Sequence, residues 1–170
     1  MPEANDLEAF YQAYYASLWA FLARASGDPA LAEDLAQEAF LRLLGSRAEH
    51  WPWATRRPYL YRIGLNLLRD RQRRDWREAP LEAVAEPAAP APGLSLLGRG
   101  LASALGRLPE RQRSALWLAH VEEMDHQAIA TVLGLNPLSV RVVLHRARKR
   151  LRVELGGAPE EEPHHEQARA

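Results

Sequence analysis

The chain is expected to fold as an all-α protein of two small helical domains joined by a flexible Ala/Pro-rich linker, the C-terminal one containing a helix-turn-helix. Three observations lead there. Apolar residues recur at steps of three and four along both halves of the sequence, and no strand pattern survives beside them. Between the halves, EAPLEAVAEPAAPAPG (78–93) is rich in Ala, Pro and Glu and poor in large apolar residues, which reads as a semi-extended spacer. The stretch from Asp125 to Arg152, DHQAIATVLGLNPLSVRVVLHRARKRLR, reads as two helices broken once.

The elements follow in order. Asp6 is placed to cap a first helix whose inward side holds Leu7, Phe10, Tyr11, Tyr14, Leu18, Phe21 and Leu22. Asp28-Pro29 opens a second, as an N-cap followed by a proline at the first helical position, and Gly45 closes it. Leu31, Leu35, Ala39 and Leu43 form its apolar side; Glu33, Asp34, Gln37, Glu38 and Arg42 form the other. A third helix is expected from about Pro58, with Leu60, Ile63, Leu67 and Leu68 inward and a sequence ever more basic toward Arg77. These make a domain over 1–77, small but able to bury a core. After the linker (78–93), helical spacing resumes with Leu97, Leu101, Ala104, Leu105 and Leu108. Pro109 then starts a helix that includes Ala115, Leu116 and Ala119.

The broken pair completes a second domain over 94–155. Asp125 and Asn136 are N-caps, Pro137 sits where its missing N–H costs nothing, and Gly134 suits a left-handed corner. Ala130, Gly134 and Val140 have the spacing of a helix-turn-helix: a small residue at the helix contact, a corner, and a core residue beneath the second helix. Val140, Leu144, Ala147 and Leu151 continue that core stripe. The segment 156–170, GGAPEEEPHHEQARA, has no core-forming pattern and is expected to be a disordered acidic tail.

Composition narrows the classes. The 170 residues include no Cys, which excludes disulfides and thiolate metal sites and suits a reducing cytosol. The start, MPEANDLEAF, has neither a basic n-region nor a long apolar run, so no membrane insertion and a cytoplasmic, nucleoid-associated location are expected. The formal net charge is zero, but the charges are segregated. Residues 99–155 carry ten Lys/Arg against five Asp/Glu, whereas 78–98 and 156–170 each carry a net −3. A polyanion meets local patches, not the total.

Two basic patches stand out. From Arg141 to Arg152 there are six Lys/Arg and no acid, so no i,i+4 pair uses those charges up. A solvated helix with a basic C-terminal end would look similar. Charge and motif together favour duplex DNA. The other patch holds eight Arg between Arg56 and Arg77 (56, 57, 62, 69, 71, 73, 74, 77) beside two Asp, with Trp51, Trp53, Tyr59, Tyr61 and Trp76 interleaved or just upstream. Cations with exposed rings suit single-stranded DNA; aromatics at helical spacing equally suit a core. Composition leaves both readings open.

The residues resemble a family. LAEDLAQEAFLRLL (31–44), YLYRIGLNLLRDRQRR (59–74) and LPERQRSALWLAHVEEMDHQAIATVLGLNPLSVRVVLHRARKRLR (108–152) are similar, in this order and spacing, to the extracytoplasmic-function (ECF) group of bacterial RNA polymerase sigma factors. The resemblance covers roughly 7–77 and 99–153. It implies a dissociable specificity subunit whose partners are core RNA polymerase (largest-subunit clamp helices and flap), promoter DNA and an anti-sigma factor. By resemblance, Asp34, Gln37, Glu38 and Arg42 dock on the polymerase. Asn66, Arg69, Arg73 and Arg74 would hold the nontemplate strand of the minus-ten element, and the 46–57 loop, with Trp53, would capture a flipped base. Ser139, Arg141, Val142, His145, Arg146, Arg148 and Lys149 would face the minus-thirty-five duplex. Three positions depart from the family pattern: Leu65 replaces a common Arg, Leu138 a usual Gly, and Val143 a usual Arg.

The mechanism implied is mechanical: two DNA-binding domains on a tether engage two promoter elements, and no catalytic residue, metal, cofactor or small-molecule substrate is expected. The alternative is a stand-alone helix-turn-helix regulator that binds a palindrome without polymerase. An enzyme is the remotest reading. His120, Glu123 and His126 lie at a helix junction without a supporting shell, His164 and His165 lie in the tail, and no phosphate loop or nucleophile elbow is present.

Overall fold

The computed structural model describes residues 4–78 and 98–156. Among the described residues seven α-helices carry the fold: α1 (Ala4–Ser26), α2 (Pro29–Leu44), α3 (Trp53–Glu78), α4 (Gly98–Gly106), α5 (Glu110–His120), α6 (His126–Leu133) and α7 (Pro137–Glu154), with a 3-10 turn at Arg47–His50. No helix among the described residues is by itself long and apolar enough to cross a membrane. The linker expectation for 78–93 and the tail expectation for 156–170 fall almost wholly outside the described residues.

Capping follows the short-range signals. Asp28 accepts from the N–H of Ala30 (3.0 Å) and Leu31 (3.1 Å), Asp125 from Ala128 (2.8 Å), and Asn136 from Leu138 (2.9 Å). Each satisfies orphan donors at a helix start. Gly134 adopts φ +65°, and the two helices it separates meet at 90°. A Cβ there would be strained by the backbone alone.

Three local expectations change. α1 begins at Ala4, so Asp6 lies inside the first turn rather than capping it. Its carboxylate is instead taken by Trp53 Nε1 (2.7 Å) and Arg56 Nη1 (2.9 Å). α3 begins at Trp53, five residues before the expected start, and Pro58 sits within it. Pro58 removes one backbone bond, but Thr55 and Arg56 N–H groups already donate to Pro52 O (3.0 and 2.9 Å), so the turn ahead of it is closed. The 46–57 loop therefore exists only in part, as a Ser46-capped 3-10 turn and a short bend.

The first half packs α1, α2 and α3 around Phe10, Leu18, Phe21, Leu22, Phe40, Leu43, Leu60 and Leu68. In the second half α5, α6 and α7 enclose Ala115, Leu118, Ile129, Val132, Val140, Leu144 and Ala147. The halves do not stand apart: their buried apolar residues join in one continuous cluster, with α6 laid against α3 and α5 touching α1. Leu65 is wholly buried, so this departure from the family pattern belongs to the core and not to a missing phosphate contact. Val143 is partly buried against the same cluster and widens the α7 stripe.

Candidate nucleic-acid interface

The recognition surface on α7 is built from its core side outward. Val140, Leu144 and Ala147 are buried and fix the helix rotation, which leaves Ser139, Arg141, Val142, His145, Arg146 and Arg148 exposed. Lys149 is half-buried at the edge of this face. His126, the first residue of α6, lines the same groove as Arg141, Val142, His145, Arg146 and Arg148. Sequence reading missed it, although its place beside the Asp125 cap puts it at the positively polarised start of α6. Leu138 (75 % exposed) and Val142 (49 %) add apolar contact surface between the cations. Such a mixture suits duplex edges, where arginine meets purine acceptors or phosphate and an apolar group meets a thymine methyl.

On α3, Asn66, Arg69, Asp70, Gln72, Arg73, Trp76 and Arg77 line a second groove. Asn66, Arg73 and Arg74 are exposed, and Arg69 is half-buried. Arg73 pairs with Asp70, and Arg71 with Asp75 at 3.2 Å. Both pairs are exposed, and exposed pairs are worth at most about 1 kcal/mol, so a phosphate competes readily for them. Arg62, Arg74 and Arg77 are exposed and have no ion pair among the described residues. Arg69 differs, because its Nη2 reaches across to Glu110 Oε2 on α5 at 3.1 Å.

Two arginines of the patch are structural. Arg56 is 2 % exposed, paired with Asp6 and set over the Phe10 ring at 4.9 Å. Hydrogen bonds from Trp53 and Arg56 hold the Asp6 carboxyl below its usual range. Arg57 Nη2 meets Glu122 Oε2 at 2.6 Å. Burial pulls the Arg57 guanidinium down, but Tyr61 and Glu122 more than offset this and leave it raised. Glu122 also accepts from Tyr61 OH (2.8 Å) and Trp117 Nε1 (3.2 Å), and is itself 6 % exposed. Burial and the adjacent Glu122 charge push the Tyr61 phenol far above its ordinary value, so it remains a donor. No local signal marks this cluster, because its two pairs, Arg57 with Tyr61 and Trp117 with Glu122, lie more than fifty residues apart.

Trp53 is held inward. Its ring packs on Phe10 (5.5 Å between centroids) and Tyr14 (5.9 Å), and its N–H is held by Asp6. It is partly buried and packed against the core. Trp51, two residues earlier, is 40 % exposed with its ring 5.2 Å from Tyr59, and Trp76 is 82 % exposed beside the α3 groove.

On α2, Asp34, Gln37 and Arg42 are exposed and Glu38 partly so, with Arg42 Nε bonded to Glu38 at 2.8 Å. Leu41 projects among them, 62 % exposed. An apolar side chain ringed by polar ones is the pattern of an interface anchor. Among the described residues no group of three His, Asp or Glu is arranged to hold a metal ion.

Comparison with known proteins bears on both halves. Residues 10–78 match the model of Sigma-70 region 2, and residues 99–151 that of Sigma-70, region 4. The chain is 38 % identical over 141 residues to the RNA polymerase sigma factor CarQ of Myxococcus xanthus, covering 80 % of this chain and 81 % of that one. It is 30 % identical over 166 residues to the ECF RNA polymerase sigma factor SigL of Mycobacterium tuberculosis, covering 90 % of each. The solved sigma factor RpoE of Bartonella quintana, in complex with the anti-sigma factor NepR, shares the fold with a TM-score of 0.73 at 24 % identity, over 90 % of this chain and 98 % of that one.

Proposed function

The chain belongs to the ECF group of RNA polymerase sigma factors, and we propose a division of labour among its surfaces from that premise. It is a promoter-recognising transcription initiation factor whose partners are core RNA polymerase and promoter DNA. The domain over 1–77 binds polymerase through α2 and the opened minus-ten strand through α3; the domain over 94–155 reads the minus-thirty-five duplex through α7. Asp34, Gln37, Leu41, Glu38 and Arg42 form the polymerase contact. Asn66, Arg69, Arg73 and Arg74 hold the nontemplate strand, with Trp51 in place of Trp53 as the ring for an unstacked base. Ser139, Arg141, Val142, His145, Arg146, Arg148 and Lys149 face the duplex, joined by His126. An anti-sigma factor is the third partner of this reading, and the factor supplies no catalytic group of its own.

What supports this most is the display of Arg141, His145, Arg146 and Arg148 on one side of a helix whose other side is fully buried. Tethering two elements makes the second contact intramolecular, so modest affinities multiply. Capturing unstacked bases offsets the few kcal/mol that unstacking costs. A pull-down with core polymerase, followed by permanganate probing of the bound promoter, tests the proposal. Reactive thymines at the minus-ten element are expected only when both polymerase and this chain are present. Duplex binding that ignores polymerase would select the stand-alone regulator instead.

A further inference from the structure

Arg24, in the last turn of α1, is 9 % exposed. Its Nε and Nη2 are shielded from solvent and meet no acceptor, and no carboxylate pairs with it among the described residues. α5 packs on α1 and brings Arg113 into its electrostatic field. Arg113 Nη1 donates to Gly106 O at 3.2 Å, but its Nε is likewise shielded and unmatched. Glu110, one turn earlier, is the nearby acid, yet its carboxylate already receives Arg69 (3.1 Å) and Ser114 Oγ (3.0 Å). Burial, and then the Arg113 charge, lower the Arg24 guanidinium to about 10. Two shielded cations in one seam, with Glu110 shared among Arg69, Ser114 and the field of Arg113, form a costly arrangement. In native proteins, unmatched buried donors of this kind mark stored strain, a bound water or a bound ion.

We propose that the seam between α1 and α5 is an oxyanion site, in which the Arg24 and Arg113 guanidiniums take one phosphate group. Guanidinium forks match phosphate oxygens in bidentate fashion. Two positive charges suit a phosphate dianion, whereas a lone carboxylate neutralises half of them. Because α1 belongs to one half of the chain and α5 to the other, the anion binds only the packed pairing of the halves and holds it. Its effect on promoter binding rests on the sigma-factor reading; the site itself does not.

The test is thermal unfolding of the full chain titrated with phosphate, at ionic strength balanced with chloride, for wild type, Arg24→Met and Arg113→Met. Phosphate also stabilises proteins non-specifically by exclusion from their surfaces, so the variants are the control. A saturable rise of about 3–5 °C is expected in wild type and none beyond the chloride baseline in the variants. Arg24→Met in chloride alone should melt above wild type, since the unmatched charge is gone. A rise equal in all three proteins, or absent in wild type, means an adventitious ion only and overturns the site. ATP run in parallel distinguishes the source: saturation at least tenfold below inorganic phosphate assigns a nucleotide, and the reverse assigns the free ion. Should the methionine variants fail to fold, broadening of the phosphorus resonance of inorganic phosphate decides. It is expected with wild type and reduced with Arg24→Lys, which keeps the charge and loses the fork; equal broadening overturns the site.

Discussion

Trp51 and Trp53 stand two residues apart and have opposite fates. Trp53 is drawn inward because Asp6, forty-seven positions away, accepts its indole N–H. Trp51 is left at the surface beside Tyr59. Spacing alone presents both as equals, and a long-range partner decides between them, so the sequence could not tell the exposed ring from the held one. The expected consequence is a split. Trp53→Ala should cost about 3 kcal/mol in denaturant unfolding. Trp51→Ala should change stability by less than about 0.5 kcal/mol while lowering open-complex formation at least tenfold; the reverse pattern would return the role to Trp53. Arg148 carries a second prediction at this scale. With about four phosphate contacts on α7, log K against log salt should slope at roughly −3 to −4, and Arg148→Ala should flatten it by about one unit. An unchanged slope removes Arg148 from the phosphate contacts.

Elements governed by neighbours within a few residues were the legible ones. The Asp28, Asp125 and Asn136 caps, Pro137 and the Gly134 corner all act locally, and each appears where the sequence puts it. The start of α3 did not follow local rules, because the Trp53 anchor extends the helix ahead of Pro58. Leu41 was passed over for a related reason. An apolar residue on a polar face looks like noise until its exposure, and the acids around it, are seen together. On the proposed polymerase contact, Leu41→Asp should weaken binding to core polymerase by tenfold or more, read by competition with a labelled sigma factor. Thermal stability should stay within about 2 °C, since the side chain is largely solvated. Unchanged polymerase affinity would move the contact off this face of α2.

At the scale of the molecule, two small helical domains joined by a linker were expected and the two matched family regions fall on them, with their buried apolar residues joined in one continuous cluster. The linker composition was legible; the pairing of the halves was not, since it depends on Glu122, held locally by Trp117, meeting Arg57 and Tyr61 across the fold. This buried carboxylate ties α3 to the junction of α5 and α6, and the Glu110–Arg69 pair adds a second tie that occupies an arginine of the α3 groove. Removing one partner of a buried charge pair strands the other, at a cost of roughly 3–5 kcal/mol. Glu122→Ala should therefore part the halves before either unfolds: amide protection along α6 falls and the radius of gyration rises by small-angle scattering. Loss of protection throughout α1–α3 at the same time would show instead that the halves fold only together.

The central claim is that the chain directs polymerase through two displayed cationic helices, α3 for the opened strand and α7 for the duplex. In vitro transcription on a genomic fragment library, with core polymerase and either wild type or Arg146→Ala, tests it most directly. A defined set of start sites that depends on the wild-type chain and is depleted with the variant is the predicted result. No chain-dependent initiation on any fragment would contradict it.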